Sequence, residues 1–139
     1  MDDKKFSKEK YNNFIKDIHI TSINVKSLFI DDVKLPEDEE LSVELIYSCD
    51  EFEKINNLIE FYPMFQVTIK DKMKGLVNIN FKFSVSYSVL NLSEYENQYI
   101  EKFQEKNLPV NVWPYARELV SSLTTRIGYP ALIIEPFKQ

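Results

Sequence analysis

The chain has 139 residues, a net charge of −5 and a hydrophobic content of 44%, which predict one folded domain, residues 1–139, rather than a disordered protein. Arg117 and Arg126 are its only arginines and no basic cluster occurs, so we do not expect it to bind nucleic acid. Gly75 and Gly128 are its only glycines and stand apart, which argues against a phosphate-binding loop and hence against a nucleotide cofactor.

The sequence also bears on the compartment. No stretch has the length and apolar character of a membrane span, and the charged N-terminal residues lack the apolar centre of a signal peptide. The single cysteine, Cys49, cannot form an internal disulfide and fits a reducing compartment. We therefore expect a cytoplasmic protein without direct membrane insertion.

The first predicted elements are a short helix and a strand. Tyr11, Phe14 and Ile15 have helical spacing, which predicts a helix that begins after Ser7. Residues 18–30 alternate between apolar and polar side chains, but the phase slips twice, which predicts a strand with bulges or a strong bend.

Two further strands are predicted in the middle of the chain. After an acidic, solvated connection over residues 31–40, the alternation at 41–49 predicts a second strand with one apolar face, formed by Leu41, Val43, Leu45, Tyr47 and Cys49. Residues 50–59 are charged with apolar insertions and predict a helical turn or a long loop. Residues 61–70 predict a third strand, whose start Pro63 places at an edge or a bulge.

The clearest strand is the fourth. Residues 77–89 alternate strictly, which indicates an antiparallel strand with one buried face and one wetter face. The preceding residues 71–75 predict a hairpin turn in which Gly75 takes a positive φ.

Two helices are predicted to follow. Ser93 and Glu96 have the spacing of a capping box, and the helix they open has an apolar side formed by Tyr95, Tyr99, Ile100 and Phe103. The second helix carries one apolar stripe made of Val112, Tyr115, Ala116, Leu119, Val120, Leu123 and Ile127.

The ends of this second helix are marked. Asn111 is predicted to cap it, Pro114 to lie in its first turn and Gly128 to close it before Pro130. Four strands followed by helices predict an α+β fold, a four-stranded antiparallel sheet with the long C-terminal helix packed on one face.

Catalytic and metal-binding groups are sparse. His19, the only histidine, is expected at the surface, and Cys49 is expected to be a buried, inert thiol. The acids at Asp31–Asp32 and Glu37–Glu40 are adjacent in a loop, where no apolar pocket would raise a carboxyl pKa. We therefore predict that the chain is not an enzyme and holds no metal.

Aromatic residues are abundant, with ten Phe, eight Tyr and one Trp. Each aromatic side chain offers about 150–250 Å² for burial, more in total than one sheet and one long helix can cover. We expect the excess to lie at a subunit interface or to remain available to a ligand.

The last quarter of the chain carries a family motif. It reads PYARE from Pro114 to Glu118, followed by Ser122, Leu123, Arg126, the Tyr129–Pro130 pair, Leu132 and Pro136. This combination resembles SecB, the bacterial protein-export chaperone family. The strands before it agree with that family in number, order and pattern.

This resemblance implies a function and an assembly. It implies an ATP-independent chaperone without cofactors, which holds unfolded polypeptides for export in apolar grooves. It also implies a homotetramer, a dimer of dimers, with the long helices between the sheets. Its candidates for client contact are Trp113, Tyr129, Leu132 and Ile134 near the groove between sheet and helix, together with Leu28 and Phe29 at the end of strand one. Core packing is the alternative for each of them.

The motif residues themselves are expected to be structural or to lie at a subunit contact; they are Pro114, Tyr115, Ala116, Arg117, Glu118 and Arg126. Arg117 is expected to satisfy a carbonyl or an ion pair at a subunit contact, and Glu118 to stabilise the first helical turn electrostatically. Direct client contact is the alternative.

Three differences from the family bear on the translocase ATPase SecA, a partner that the resemblance implies. The sequence ends at Gln139, so the further helix and tail that contact SecA are not expected. The connection after strand one is shorter, and Ser27 stands where the family presents an acid to SecA. A second hypothesis is therefore a SecB-like chaperone for an antitoxin or another single client. A third is an oligomeric interaction protein without chaperone activity.

Overall fold

The computed structural model describes residues 5–36, 40–72, 74–130 and 132–138. Its elements, in chain order, are α1 (Lys8–Asp17), β1 (Ile18–Ile30), β2 (Leu41–Ser48), β3 (Phe52–Ile55), β4 (Leu58–Phe61), β5 (Met64–Asp71), β6 (Lys74–Val89), α2 (Asn97–Lys106) and α3 (Leu108–Arg126). Among the described residues, no helix is both long and apolar enough to cross a membrane.

The sheet is organised around β6, its longest strand, and all pairings are antiparallel. Strand β1 pairs with β6 along one edge. Along the other edge, β5 pairs with the first half of β6 and β4 with its last residues. Strand β2 lies outside β5, and β3 lies outside β4. The fold is α+β, as predicted.

The prediction of four strands is wrong, because the sheet has six. Residues 50–59, predicted as a helical turn or a loop, contain β3 and the start of a tight hairpin to β4. Asn56 takes a positive φ of 56° in the turn, which asparagine tolerates better than most residues. The predicted strand 61–70 is divided at Tyr62 and Pro63, since proline cannot donate a ladder hydrogen bond.

The two phase slips in β1 correspond to two irregularities in its pairing with β6. They fall between Ile20 and Ser22 and between Val25 and Ser27, so that Thr21 and Lys26 are extra residues. Each extra residue restores the alternation. Every second residue of β6 from Val77 to Val89 lies on one face of the sheet, which we call the inner face. The aliphatic residues of β1 therefore all lie on this inner face; they are Ile18, Ile20, Ile23, Val25, Leu28 and Ile30.

The hairpin between β5 and β6 is formed as predicted, but its glycine is not the residue with the positive φ. Lys72 takes a φ of 56°, whereas Gly75 lies in the first residues of β6. The hairpin therefore turns earlier than the glycine suggests. Met73 lies outside the described residues.

Helix α2 begins later than its predicted capping box. Ser93 belongs to a 3-10 turn, Leu92–Glu94, and Glu96 is the residue before the first helical turn. The Glu96 carboxylate is bonded to the Lys10 ammonium of α1 at 3.0 Å rather than to the backbone of α2. The predicted apolar side of α2 is buried as expected.

Helix α3 begins earlier than predicted, directly after α2. Asn107 joins the two helices, and Pro109 lies in the first turn, where a missing N–H costs little. Asn111 is therefore inside the helix, and its side-chain amide donates to the Tyr87 hydroxyl at 2.9 Å. Pro114 and Glu118 are also interior, so the prediction that Glu118 lies in the first turn is wrong. Gly128 closes the helix with a φ of 92°, as predicted.

The core lies between the inner face and the helices. Phe103 of α2 packs on Tyr87 of β6, with ring centroids 5.0 Å apart. Helix α1, capped by the Ser7 hydroxyl, places Phe14 at 6.0 Å from Phe103. Helix α3 contributes Val112, Ala116 and Val120, all fully buried.

Candidate functional site

An open groove of about 630 Å³, lined by apolar and polar residues, lies between the inner face of β2 and the residues that follow α3. We call residues 132–138, which form neither helix nor strand, the exit segment, and this cavity the exit groove. Its walls are Leu41, Val43 and Leu45 from β2, Trp113 from α3 and the exit segment itself. The wall side chains from β2 are half-buried, so their apolar surface is only partly covered.

Trp113 lies at the centre of an aromatic cluster beside the groove. Its indole is 5.4 Å from the Phe65 ring, 5.8 Å from Tyr47 and 5.1 Å from Phe137 of the exit segment. Trp113 remains half-buried, so one part of the indole packs on the core while another part faces the cavity.

The exit segment is held on α3 through its main chain. The Trp113 indole N–H donates to the Glu135 carbonyl at 2.6 Å, and Arg117 Nε donates to the Ile134 carbonyl at 2.9 Å. The Leu132 backbone N–H donates to Thr124 Oγ1 at 3.2 Å. Arg117 was predicted to bond a carbonyl or an ion pair at a subunit contact, whereas the bond that the structure shows is to a carbonyl of its own chain.

The candidate contact residues do not form one site. Trp113, Leu132 and Ile134 line the exit groove, but Tyr129 does not. Tyr129 is buried, and its hydroxyl donates to the Lys34 carbonyl in the connection after β1. Leu28 is on the inner face of β1, whereas Phe29 is on the opposite, outer face, beside Asn80.

The other motif residues divide between core and surface. Ala116 is fully buried. Pro114, Glu118 and Arg126 are exposed, and Tyr115, expected in the apolar stripe, is 49% exposed. The apolar surface of α3 is therefore wider than the part that its own sheet covers.

A second uncovered apolar surface lies on β1. Ile20, Val25 and Leu28 are 45–47% exposed although they point to the inner face. Within the described part of the chain, β1 bonds to β6 alone, so its outer backbone edge is open. An apolar strand face beside an open edge is a favourable surface for association.

The residues considered for catalysis lie apart from this groove. His19 is exposed on the outer face opposite Ser88, and burial raises the pKa of the Cys49 thiol, which disfavours the reactive thiolate. Of the loop carboxylates, Asp31 bonds to Asn78, while residues 37–39 lie outside the described residues. Across the described residues, no group of three or more His, Cys, Asp or Glu could hold a metal ion.

Sequence reasoning did not identify the β2 wall of the groove. Leu41, Val43 and Leu45 were predicted to share a face of a strand, and they do. The alternation could not show that this strand lies at the edge of the sheet, where α3 leaves its side chains partly uncovered.

Comparison of the sequence with known proteins gives matches to a family model and to a curated relative. A family model described as SecB, preprotein translocase subunit SecB, matches residues 4–138. The protein-export protein SecB of Histophilus somni, in strains 2336 and 129Pt, is 24% identical over 124 residues, covering 88% of this chain and 68% of the relative.

A solved structure supports the fold. The SecB-like chaperone Rv1957 of Mycobacterium tuberculosis, in complex with a ChAD peptide from the Rv1956 HigA1 antitoxin, matches with a TM-score of 0.81. The match covers 90% of this chain and 94% of that chain, at 15% sequence identity. Because the family model covers nearly its whole length, the chain belongs to the SecB family, whose members are chaperones rather than enzymes.

Proposed function

We propose that this chain is an ATP-independent holdase that binds unfolded polypeptides in the exit groove. The observation that carries the proposal is the groove itself, an open cavity of about 630 Å³ walled by aliphatic residues of β2 and by Trp113. An aliphatic and aromatic wall binds apolar side chains with little regard to sequence, as a chaperone for varied clients requires.

Such binding needs no chemical energy. A protein that binds the unfolded client but not the folded one shifts the folding equilibrium of the client by mass action alone. The outer backbone edge of β2 offers additional main-chain hydrogen bonds to an extended client, since β2 pairs with β5 on its other side. ATP hydrolysis therefore has no part in the proposed mechanism.

The proposed cellular role is protein export from the cytoplasm. The Histophilus somni relative is named a protein-export protein, which supports this role. The alternative is a dedicated antitoxin chaperone, because the Mycobacterium tuberculosis neighbour is bound to an antitoxin peptide. Capture from the native host distinguishes them: SecA with many secretory precursors supports export, and a single antitoxin supports the alternative. One folded partner without chaperone activity contradicts both.

The proposed assembly is a homotetramer, a dimer of dimers. The uncovered inner face of β1 and the exposed Tyr115 of α3 supply apolar surface for subunit contacts. Native mass spectrometry of the purified chain should give a tetramer, and a monomer at micromolar concentration would contradict this assembly.

The test of the holdase proposal uses two successive residues of β2. Leu45 lines the groove, whereas Ile46 is 62% exposed and pairs with Gln66 on the outer face. A charge at Leu45 must be desolvated by an apolar client, so Leu45→Glu should weaken client binding by roughly tenfold or more. Ile46→Glu should leave it unchanged.

The measurement is suppression of aggregation of a chemically unfolded protein, with and without ATP, on variants whose folding is confirmed by circular dichroism. We expect equal suppression in both conditions for the wild type. A requirement for ATP, or equal activity of the two variants, would overturn the proposal.

A further inference from the structure

The exit segment is bound to α3 as an extended peptide ligand would be. Three side chains of α3 make hydrogen bonds to its backbone: Trp113 and Arg117 donate to the successive carbonyls of Glu135 and Ile134, and Thr124 accepts from the Leu132 N–H. The segment runs antiparallel to the helix, since higher numbers in the segment meet lower numbers in α3. These bonds recognise a main chain rather than particular side chains.

Side chains of the exit segment add a simple pattern. The Ile133 side chain is 70% exposed, whereas Ile134 is 4% exposed and belongs to the core cluster. Three residues after Ile134, the Phe137 ring packs at 5.1 Å from the Trp113 indole. The site on α3 thus takes an aliphatic residue, two residues that face outward and then an aromatic residue.

The part of the groove beyond the exit segment remains open. Leu41, Val43 and Leu45 face the segment across a cavity of about 630 Å³. The indole of Trp113 borders both the segment and this cavity. A bound client that extends along the groove therefore meets the same indole that Phe137 covers.

We propose that residues 134–137 are an internal ligand that competes with clients for Trp113 and Arg117. The client class that displaces them is an extended apolar stretch with an aliphatic residue followed, three positions later, by an aromatic one. This inference rests on the proposed holdase function and assigns it a selectivity. A tethered ligand acts at an effective concentration in the millimolar range, so short or weakly apolar peptides are excluded.

The test compares a substitution in the exit segment with one outside the groove, both in the full chain. Phe137→Ala removes the aromatic contact with Trp113 while leaving the carbonyl acceptors in place. Ile46→Ala is the control, because that apolar side chain is 62% exposed on the outer face of β2 and lies outside the lining of the exit groove. Circular dichroism and thermal unfolding confirm that both variants fold.

The readout is the affinity for an unfolded client, followed through the emission of Trp113, the single tryptophan. An aromatic pair contributes energy equivalent to roughly a two- to tenfold change in affinity, so Phe137→Ala should bind the client tighter by that factor. Ile46→Ala should match the wild type.

A synthetic peptide with the sequence LIIEPFK provides a second measurement. It should bind the Phe137→Ala chain more tightly than the wild type, since the internal competitor is weakened. If the wild type binds the client and Phe137→Ala binds it equally or more weakly, the segment is only a wall of the groove and the inference is overturned. Failure of the wild type and both variants to bind any client would overturn the holdase proposal itself.

Discussion

Gly128 ends α3 with a φ of 92°, a conformation that residues with a Cβ rarely adopt. A Cβ at this position would meet the nearest atom, Leu35 Cδ2, at 3.6 Å, an ordinary contact. The cost of Gly128→Ala therefore comes from the backbone alone, and we expect a loss of about 1–2 kcal/mol in the free energy of unfolding.

Gly75→Ala is the matched control for this prediction. Among the described residues other than its two chain neighbours, none places a heavy atom within 4 Å of the position of a Cβ at Gly75, and Gly75 has no positive φ. Alanine there should be neutral or stabilise the chain by up to about 1 kcal/mol, because it restricts the unfolded state. Urea denaturation measures both, and an equal loss at the two glycines would contradict the backbone explanation.

Asp31 is expected to make stability depend on pH. Its carboxylate accepts from the Asn78 backbone N–H and side-chain amide, both at 2.8 Å, and these bonds hold its pKa below the ordinary value of 3.8. A lowered folded-state pKa means that the stabilisation is present above the unfolded-state pKa and is lost as the pH falls through the folded-state value.

Asp31→Asn should therefore lower the Tm near neutral pH, and the difference from wild type should shrink in acid. Asp32→Asn, which removes the neighbouring exposed carboxylate, is the control. Thermal unfolding across the acid range measures both, and a difference for Asp31→Asn that stays constant with pH would argue against this role of the carboxylate.

The roles of single residues at helix ends were predictable where no neighbouring helix continued past the predicted end. Ser7 caps α1 and Gly128 closes α3, as predicted. Both could be predicted because each lies next to a stretch with clear helical periodicity. Asn111 was wrongly predicted as a cap, since residues 108–110 continue the helix toward α2 and Asn107 supplies the junction. Propensity at one residue cannot reveal that two helices meet.

At the scale of elements, the two extra residues of β1 are the most informative feature. Val25 pairs with Phe83 and Ser27 with Lys82, so Lys26 is outside the regular ladder. Deleting Lys26 leaves both pairs and the alternation intact. It removes the contact of the Lys26 ammonium with the Tyr62 ring, at 4.8 Å, so we expect a loss of about 1 kcal/mol or less.

Deleting Asn80 from β6 is the contrasting change. Asn80 pairs on both sides, with Phe29 of β1 and Gln66 of β5. Its deletion therefore moves the side chains of β6 on one side of the deletion to the opposite face of the sheet. We expect a loss of several kcal/mol or an insoluble chain. Urea denaturation compares the two deletions, and equal losses would contradict the register of β1.

Long periodic stretches were predictable as elements, and short ones were not. Strand β6 and the slips in β1 could be read from alternation, because the signal extends over many residues. Strands β3 and β4 have four residues each, too few for a period of two to stand out from a loop. Strand β4 pairs with β6 and β3 pairs with β4, and sequence spacing does not encode these pairings.

At the scale of the whole molecule, the exit groove depends on residues distant in sequence. Leu45 of β2 and Trp113 of α3 meet only because β2 is the outermost strand on that side of the sheet. The motif around Arg117 indicated the family and the fold. It could not indicate which wall of the groove remains uncovered, because that follows from the sheet order.

The central claim is that unfolded polypeptides bind on the β2 side of the exit groove. The most direct measurement places a photo-crosslinking amino acid at Leu45 or at Ile46, which point to opposite faces of the sheet. With an unfolded client bound, crosslinking from position 45 and little from position 46 is the predicted result, although Ile46 is 62% exposed. Crosslinking from position 46 that equals or exceeds that from position 45 would contradict the account.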